Sequence, residues 1–565
     1  MGTDMKQYQG VGIGEAIAFG RLRLFHRPDR HVNYIHIADA ESEAARFRQA
    51  KTLALRQLDE LCERTLRDVG EESAAIFTAH QLMLEDAVYN DSIHSIIRDQ
   101  LVNAEYAILC TAKAFAEKFE AMEDPCLKAR TADVQDVSDR LIRILSGSDS
   151  CLTASEEKII LCADDLTPSE AAALDRDKVL AFVTARGSLS SHTAILARNR
   201  NIPAVIGVGE GFLREQIDGT KAVVDSCTGE VFLEPDEAAL KKLLEKQRLL
   251  TEKKYLLQEL RGRENITLDG KKIDIYANIG SVEDVKNALA NDAGGIGLFR
   301  SEFLYLERSD YPSEEEQFAA YKKVLEGMAG RQVIIRTLDI GADKQADYFH
   351  LKQEENPALG CRAIRLCLMR PEIFRTQLRA LYRASAYGSL SIMFPMITTV
   401  SELEKILAVC DEVKKELRRQ GIHFSDQVKL GIMIETPAAA LISDKLASMA
   451  DFFSVGTNDL TQYTLACDRQ NPDVEQFVDP HHEAVLRLIE MSAESAHRHG
   501  IRIGICGELG ADTTLTEAFL RMGIDELSVS PDLVLRVRQA VRGIDLSKTI
   551  TPLQAAQNPA YNTGS

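Results

Sequence analysis

The sequence predicts a multi-domain α/β protein in which an α/β domain encloses an inserted helical bundle and is followed by a C-terminal (β/α)8 barrel. Three observations predict it. A chain of 565 residues exceeds what one hydrophobic core supports, which points to three folded units. Residues 38–146 carry almost no proline and place apolar residues at helical spacing. Beyond residue 265, eight strand-like runs alternate with helical segments over about 280 residues, the size and rhythm of a (β/α)8 barrel.

Residues 11–25 (VGIGEAIAFGRLRLF) predict a strand pair or hairpin, and the helical stretch follows. From about residue 158 short β-branched runs take over, KIILCA, KVLAFVT, PAVIGV and KAVVDS, so residues 1–30 and 150–235 form the α/β domain and 31–149 the insertion. Residues 236–264 contain neither Gly nor Pro before Gly262 and predict one charged helix, roughly 40 Å long at the standard rise, as a linker. The barrel occupies 265–550, with strands KIDIYANIG, GGIGLFRSE, QVIIRTLDI, LSIMFPM, LGIMIET, FFSVGTND, IRIGICGE and DELSVS, and 551–565 is a tail.

Net charge is −19 and no Lys/Arg block stands out, so the electrostatic stripe that nucleic acid or an anionic membrane requires is missing, and a basic partner is favoured. Eleven cysteines without a C-x-x-C pair suit a reducing cytosol. The MGTDMKQYQG terminus lacks a basic region followed by an apolar stretch, and no membrane-length apolar run follows, so the expected location is the cytoplasm with no membrane insertion.

A barrel's chemistry sits where its strands end. Directly after the apolar runs come Asn278, Arg300 with Glu302, Arg336 with Asp339, Glu435, Asn458 with Asp459, and Cys506 with Glu508. Arg300, Arg336, Arg469 and Arg362 are planar cations suited to an anion bearing both phosphate and carboxylate. Glu435 and Asp459 end neighbouring strands and could hold Mg²⁺, although an ion pair with one of the arginines would equally explain either acid alone. Cys506 could deliver a proton to carbon, or be a small buried hydrophobe. His192 lies in the small-residue loop GSLSSHTAILAR before a helix start, where helical amides favour the negative charge of a phosphohistidine; a capping or surface histidine is the other reading.

These segments resemble enzyme I of the bacterial phosphoenolpyruvate-dependent sugar phosphotransferase system along essentially the whole chain. DDLTPSE (164–170) with SSHTAILAR (190–198) is similar to the family's swivelling phosphohistidine domain. In the barrel, ANIG, GLFRSEFLY, RTLDIGADK, ENPALGCRAIR, GIMIETPAA, VGTNDLTQYTLACDR and GICGELG follow in the family's order. The resemblance implies that His192 is the phosphorylated nucleophile and Cys506 the proton donor. It further implies that Glu435 and Asp459 ligate Mg²⁺, and that Arg300, Arg336, Arg362, Asn458, Asp459 and Arg469 contact phosphoenolpyruvate. The insertion would bind the histidine carrier protein HPr, with EESAAIFTAHQLMLED (71–86) resembling the docking face, and the barrel would form a homodimer. Where the family reads Gly-Gly-basic-Thr-Ser before its histidine, this chain has Gly187, Ser188, Leu189, Ser190 and Ser191. A catalytically weak regulatory relative and an enzyme like pyruvate phosphate dikinase or phosphoenolpyruvate synthase are the alternatives. The second is disfavoured because no ATP-grasp domain or Gly-rich phosphate loop precedes residue 192. The absence of a sensor segment ahead of the phosphohistidine domain points to the sugar branch.

Overall fold

The computed structural model describes residues 5–25, 32–68, 71–120, 125–147, 158–166, 178–187, 193, 194, 197, 202–209, 211–214, 217–306, 308, 310–341, 347–352, 354–469, 471–548 and 551–557. The chain divides into two compact units, Met1–Lys253 and Lys254–Ser565.

The first unit holds an eight-stranded mixed sheet. Its strands are β1 (Lys6–Gln9), β2 (Val11–Ile13), β3 (Ile17–Leu24), β4 (Ile159–Ala163), β5 (Val179–Thr184), β6 (Ala204–Ile206), β7 (Lys221–Asp225) and β8 (Glu230–Leu233). Their spatial order is β1-β8-β7-β3-β4-β5-β6-β2. Residues 11–25 therefore do form strands, but not a hairpin with each other. β2 pairs antiparallel with β6, while β3 lies in the middle between antiparallel β7 and parallel β4. The first two strands stand at opposite ends of this order with only Gly10 between them, so the sheet curls round on itself. Two glycines permit the close approach there: a Cβ on Gly12 would stand 2.0 Å from the Ser226 carbonyl oxygen, and one on Gly229, at φ +75°, 2.2 Å from that of Gly10.

A parallel neighbour needs a crossover, and the connection from β3 to β4 carries the helical insertion. It comprises α1 (Ala40–Asp68), α2 (Glu71–Glu85), α3 (Ala87–Gln100), α4 (Ala104–Glu120) and α5 (Pro125–Ser146). Phe47, Leu58, Phe77, Leu84, Tyr89, Ile93, Ile97 and Leu141 fill its core. Near the start of α1, Arg46 ion-pairs with Glu43 and Glu105 and donates to the Leu145 carbonyl at 2.8 Å, which bolts the bundle's entry to its exit.

The following helix, α6 (Glu237–Gln258), stops short of residue 264, and Gly262 at φ +73° lies in the turn beyond it. Leu240, Leu243 and Leu250 of α6 pack on Ile17, Phe19, Val223 and Phe232, and Lys246 pairs with the buried Asp225.

The second unit is a closed barrel of eight parallel strands. They are β9 (Asp274–Ile279), β10 (Ile296–Arg300), β11 (Val333–Arg336), β12 (Leu390–Phe394), β13 (Lys429–Ile434), β14 (Phe452–Val455), β15 (Arg502–Ile505) and β16 (Glu526–Val529), with β16 closing on β9. Seven of the strands fall within the predicted runs, and β13 begins one residue before its run, at Lys429. Outer helices begin on strong start signals: Ser313 and Glu316 form a capping box for α7 (Glu314–Gly327), and Thr399 and Glu402 another for α9 (Val400–Arg419). Between them α8 (Pro371–Ala384) buries Ile373, Phe374, Leu378 and Leu381 against the barrel's outer core.

The barrel interior is two-faced. One part is apolar, where Leu298, Ile334, Met393, Met433 and Phe452 pack together with Cys506. The other part is polar, with Ser454, Ser528, Glu526 and Asn278 from β14, β16 and β9, and Gly504 of β15 provides the space. No helix among the described residues is long and apolar enough to cross a membrane.

Candidate active site

The barrel strands are short and buried, so the first polar residue after each apolar run emerges at the C-terminal rim. This gathers Arg300, Arg336, Glu435, Asn458, Asp459 and Cys506 on one face. Arg362 joins them from the loop ahead of the helix Ile364–Met369, and Arg469 from the segment after the helix Thr457–Leu465.

At the centre is a ladder of buried ion pairs. Arg336 reaches Glu302 at 3.0 Å and Asp339 at 3.1 Å, and Asp339 in turn holds Arg362 at 3.0 Å. Arg362 continues to Asp459 at 3.2 Å and to the Tyr463 hydroxyl at 3.3 Å, and Arg469 approaches the other Asp459 oxygen at 3.6 Å. Glu302 also accepts the Asp339 backbone N–H at 3.1 Å, so one carboxylate fixes two rungs. The alternation matters because a buried charge is tolerated only when paired. It leaves the Nε atoms of Arg336 and Arg362 without a hydrogen-bond partner among the described residues, donors still available to an anion.

The Arg300 side chain makes no hydrogen bond or ion pair with a described residue and keeps part of its surface open. Burial of its base and then the like charge of Arg336 hold its pKa below the usual value, so it is the cation most in want of a negative partner.

Glu435 is 1 % exposed. One of its oxygens accepts the Met396 N–H at 2.6 Å, an amide aimed by a backbone at φ +56°, and the other has no hydrogen-bond partner among the described residues. Burial, and then the charges of Asp459 and Asp339, push its pKa up to about 8. A carboxylate so placed requires a proton or a cation. Among the described residues no group of three or more His, Cys, Asp or Glu side chains is arranged to hold a metal alone. A hard cation that keeps waters and takes substrate oxygens needs only one or two carboxylates.

The Cys506 thiol is 3 % exposed and directed at the Val455 carbonyl at 3.5 Å. Burial pushes its pKa up to about 11, so at neutral pH it carries its proton. Asn458 accepts the Glu508 N–H at 3.2 Å and so couples the loops after β14 and β15.

These two loops touch tightly. A Cβ on Gly507 would stand 1.9 Å from the Thr457 hydroxyl and 2.7 Å from its backbone nitrogen. Gly507→Ala is expected to force the loops apart and cost about 1–3 kcal/mol in urea unfolding. An unfolding midpoint equal to wild type would show that the loops can part freely.

His192 and the preceding Ser188–Ser191 lie outside the described residues. Immediately after them, Thr193 is buried and donates to Asp165 at 3.1 Å, and Gly187, at φ +117°, opens the loop. The structure thus brings together every barrel residue singled out in the sequence. Sequence reasoning placed Glu302 and Asp339 at strand ends without giving them a role; their partners become visible only when β10 and β11 lie side by side. Tyr463, one helical turn beyond Asp459, was missed altogether.

Three family models of PEP-utilising enzymes match the chain: the N-terminal domain over residues 9–130, the mobile domain over 155–229 and the PEP-binding domain over 254–546. The phosphoenolpyruvate-protein phosphotransferase of Bacillus sp. (strain S) is 43% identical over 538 residues, covering 95% of this chain and 93% of the relative. That of Bacillus subtilis (strain 168) is 41% identical, covering 95% and 94%. Among solved structures, a solution structure of an Enzyme I protein is 32% identical and covers 43% of this chain and 98% of its own, with a TM-score of 0.38. With three domain models in order and relatives matched over nearly their full length, the chain belongs to the PEP-utilising enzymes and, among them, to the phosphoenolpyruvate-protein phosphotransferase family.

Proposed function

We propose that this chain takes the phosphoryl group of phosphoenolpyruvate onto His192 and passes it to the carrier HPr, the first step of sugar uptake by the phosphotransferase system. The observation that carries the reading is the rim of the barrel, where a paired arginine ladder, a carboxylate with a free buried oxygen and a protonated buried thiol face one space. An anion with phosphate at one end and an enol carbon at the other uses all three.

Arg300 and Arg336 neutralise and orient the phosphate, while Arg362, Asn458, Asp459 and Arg469 position the rest of the substrate. Magnesium fits Glu435 and Asp459, since the orphaned Glu435 oxygen is a hard donor without a partner; when bound, it would neutralise charge on the substrate oxygens. Neutral His192 attacks phosphorus in line, the N–P bond forming as the P–O bond to enolpyruvate breaks. Cys506 then gives its proton to the enol carbon, and pyruvate leaves. The carboxylate–arginine pairs around Asp339 keep the cations in place through these changes of charge.

His192 must visit two binding sites in turn, so the α/β domain (1–30 and 150–235) moves relative to the barrel (265–550) about the helix in 236–264. HPr docks on the insertion (31–149), where the exposed Leu82 and Val88 offer apolar contacts beside Glu85 and Asp86. A homodimer through the barrel and a cytoplasmic location complete the proposal.

The test is incubation of the purified protein with Mg²⁺ and phosphoenolpyruvate labelled in its phosphate. Acid-labile, base-stable label should appear on the protein with one pyruvate released per phosphate bound. An unlabelled protein that still binds phosphoenolpyruvate would point instead to a regulatory binder.

The buried Glu435 and the half-buried Glu526 also set a pH dependence. Glu435 and Glu526 are both pushed up to about 8, so over the range from ordinary carboxylate values to about 8 the folded chain holds protons that the unfolded chain releases. Their stabilisation is present at low pH and lost as pH rises, at most about 1.4 kcal/mol per pH unit per group. Metal-free protein should therefore lose melting temperature between about pH 5 and about pH 8. Glu435→Gln should flatten the slope, and Mg²⁺ should raise the midpoint most at the alkaline end. A Glu435→Gln slope parallel to wild type would remove Glu435 from the account.

A further inference from the structure

Resting on the reading above, in which Cys506 protonates carbon, a second question arises: how a thiol 3 % exposed regains its proton. The layer of the barrel beneath it supplies an arrangement. Gly504 of β15 lies two residues before Cys506, the first residue after the strand, and alternation puts it on the same inward face below the thiol. The register sets Gly504 between Ser454 of β14 and Glu526 of β16, and the same row continues to Asp274 of β9.

The side chain that Gly504 lacks leaves room for its neighbours. A Cβ there would lie 3.0 Å from the Cβ and 3.3 Å from the carboxyl carbon of Glu526. Gly297 opens the other side: a Cβ on it would stand 2.5 Å from a Glu526 oxygen and 2.4 Å from the Ser528 hydroxyl, so Glu526 turns into the barrel rather than out of its floor. On the opposite flank Ser454 is 1 % exposed; its hydroxyl has no oxygen or nitrogen partner among the described residues and acts on the Cys506 thiol, whose pKa it draws down against the rise from burial. A buried hydroxyl whose one neighbour is a thiol, a weak partner, calls for an explanation.

The groups facing Glu526 are Arg502, Asp274, Asp525, Tyr276 and Cys506. Burial, with Asp274 and Asp525 adding and Arg502 opposing, raises its pKa to about 8, and its charge is among those that raise that of Cys506. At the barrel floor Arg502 pairs with Asp274, and both side chains are substantially exposed, at 56 % and 39 %. The row thus runs from a buried thiol to solvent at the end of the barrel opposite the substrate.

We infer that Glu526, acting through the Ser454 hydroxyl, is the proton reservoir that recharges Cys506 from the N-terminal face of the barrel. When the S–H bond breaks and a C–H bond forms on enolpyruvate, the thiolate takes the Ser454 proton. Ser454 takes a replacement from the Glu526 carboxyl by way of one water, and the resulting carboxylate, beside Arg502, is reprotonated by solvent at the floor. Glu526 touches no substrate and acts only through Cys506.

The test follows two isotopes at once in the full chain, with Mg²⁺, phosphoenolpyruvate and carbon-labelled pyruvate in D₂O. Exchange of carbon label between pyruvate and phosphoenolpyruvate needs a proton only to shuttle between Cys506 and carbon. Deuterium wash-in to the methyl group needs the thiol to be resupplied from solvent. In Glu526→Gln and in Ser454→Ala, deuterium gained per carbon exchange is expected to fall about tenfold, a factor worth about 1.4 kcal/mol. A ratio unchanged in both variants would mean that the thiol is recharged through the substrate mouth and would overturn the inference. So would parallel loss of the two rates, the mark of a merely structural role. Failure of wild type to exchange any carbon would instead sink the phosphotransferase reading itself.

Discussion

His192→Ala is expected to abolish acid-labile labelling by phosphoenolpyruvate altogether while leaving binding of phosphoenolpyruvate to the barrel within about twofold of wild type. The reason is a division of labour. The cations and carboxylates proposed to hold the substrate all belong to Lys254–Ser565, whereas residue 192 belongs to Met1–Lys253, so on this proposal removing its imidazole deletes the nucleophile and no binding contact in the barrel. Cys506 is held in its protonated form and so is a poor substitute, and Glu435 and Asp459 are proposed to serve charge neutralisation. Calorimetric titration with phosphoenolpyruvate and labelling of the same preparation check both halves. Residual label of ordinary stability on the variant would transfer the nucleophile's role to another residue, and the altered Gly187–Ser191 flank makes that measurement the decisive one for His192.

Arg336→Met should produce the largest effect within the barrel, on stability and on catalysis together. Arg336 is 8 % exposed and lies between Glu302 at 3.0 Å and Asp339 at 3.1 Å. Its removal leaves the buried Glu302 without a cation and Asp339 with Arg362 alone, a loss of about 3–5 kcal/mol in unfolding free energy. Loss of the cation proposed to face the phosphate should lower kcat/KM by about a thousandfold or more, about 4 kcal/mol of transition-state stabilisation. Arg336→Lys should recover part of the stability but little of the rate, because an ammonium is a point charge and cannot bridge Glu302, Asp339 and substrate with one planar fork. Denaturation with and without phosphoenolpyruvate, alongside steady-state kinetics, separates the two effects. Full activity in Arg336→Lys would reduce the residue to a simple counter-charge.

How far such an arrangement is legible beforehand depends on the kind of residue. The barrel strands announce themselves because parallel strands buried on both faces read as continuous apolar runs, and the polar residue closing each run, Arg300 or Glu435, inherits its place at the rim. Arginines and carboxylates at such ends already suggest an anionic substrate. What is not legible is pairing across strands. Glu302 and Asp339 gain their meaning from the neighbouring β10 and β11, and Ser454, Gly504 and Glu526 form a row only through a register that spans more than 70 residues of sequence. Each alone is an ordinary serine, glycine or glutamate. The first unit shows the same limit. Local pattern marks 11–25 as strands, but their partners, near residues 159, 204 and 225, are chosen by the curl of the whole sheet.

The Arg46 clasp has a consequence for how the chain is made. As the polypeptide leaves the ribosome, β3 emerges long before its partners: Arg21 pairs with Ile159 and Ile17 with Asp225. Closing so long a loop of loose chain is slow and leaves a strand edge open to wrong pairing. The five helices between make mainly local contacts and can fold as soon as they are complete. Once Arg46 has tied the start of α1 to the Leu145 carbonyl, the bundle presents its two ends side by side. The nascent chain then joins β3 to β4 across a short effective tether, so the insertion acts as a staple for the domain it interrupts.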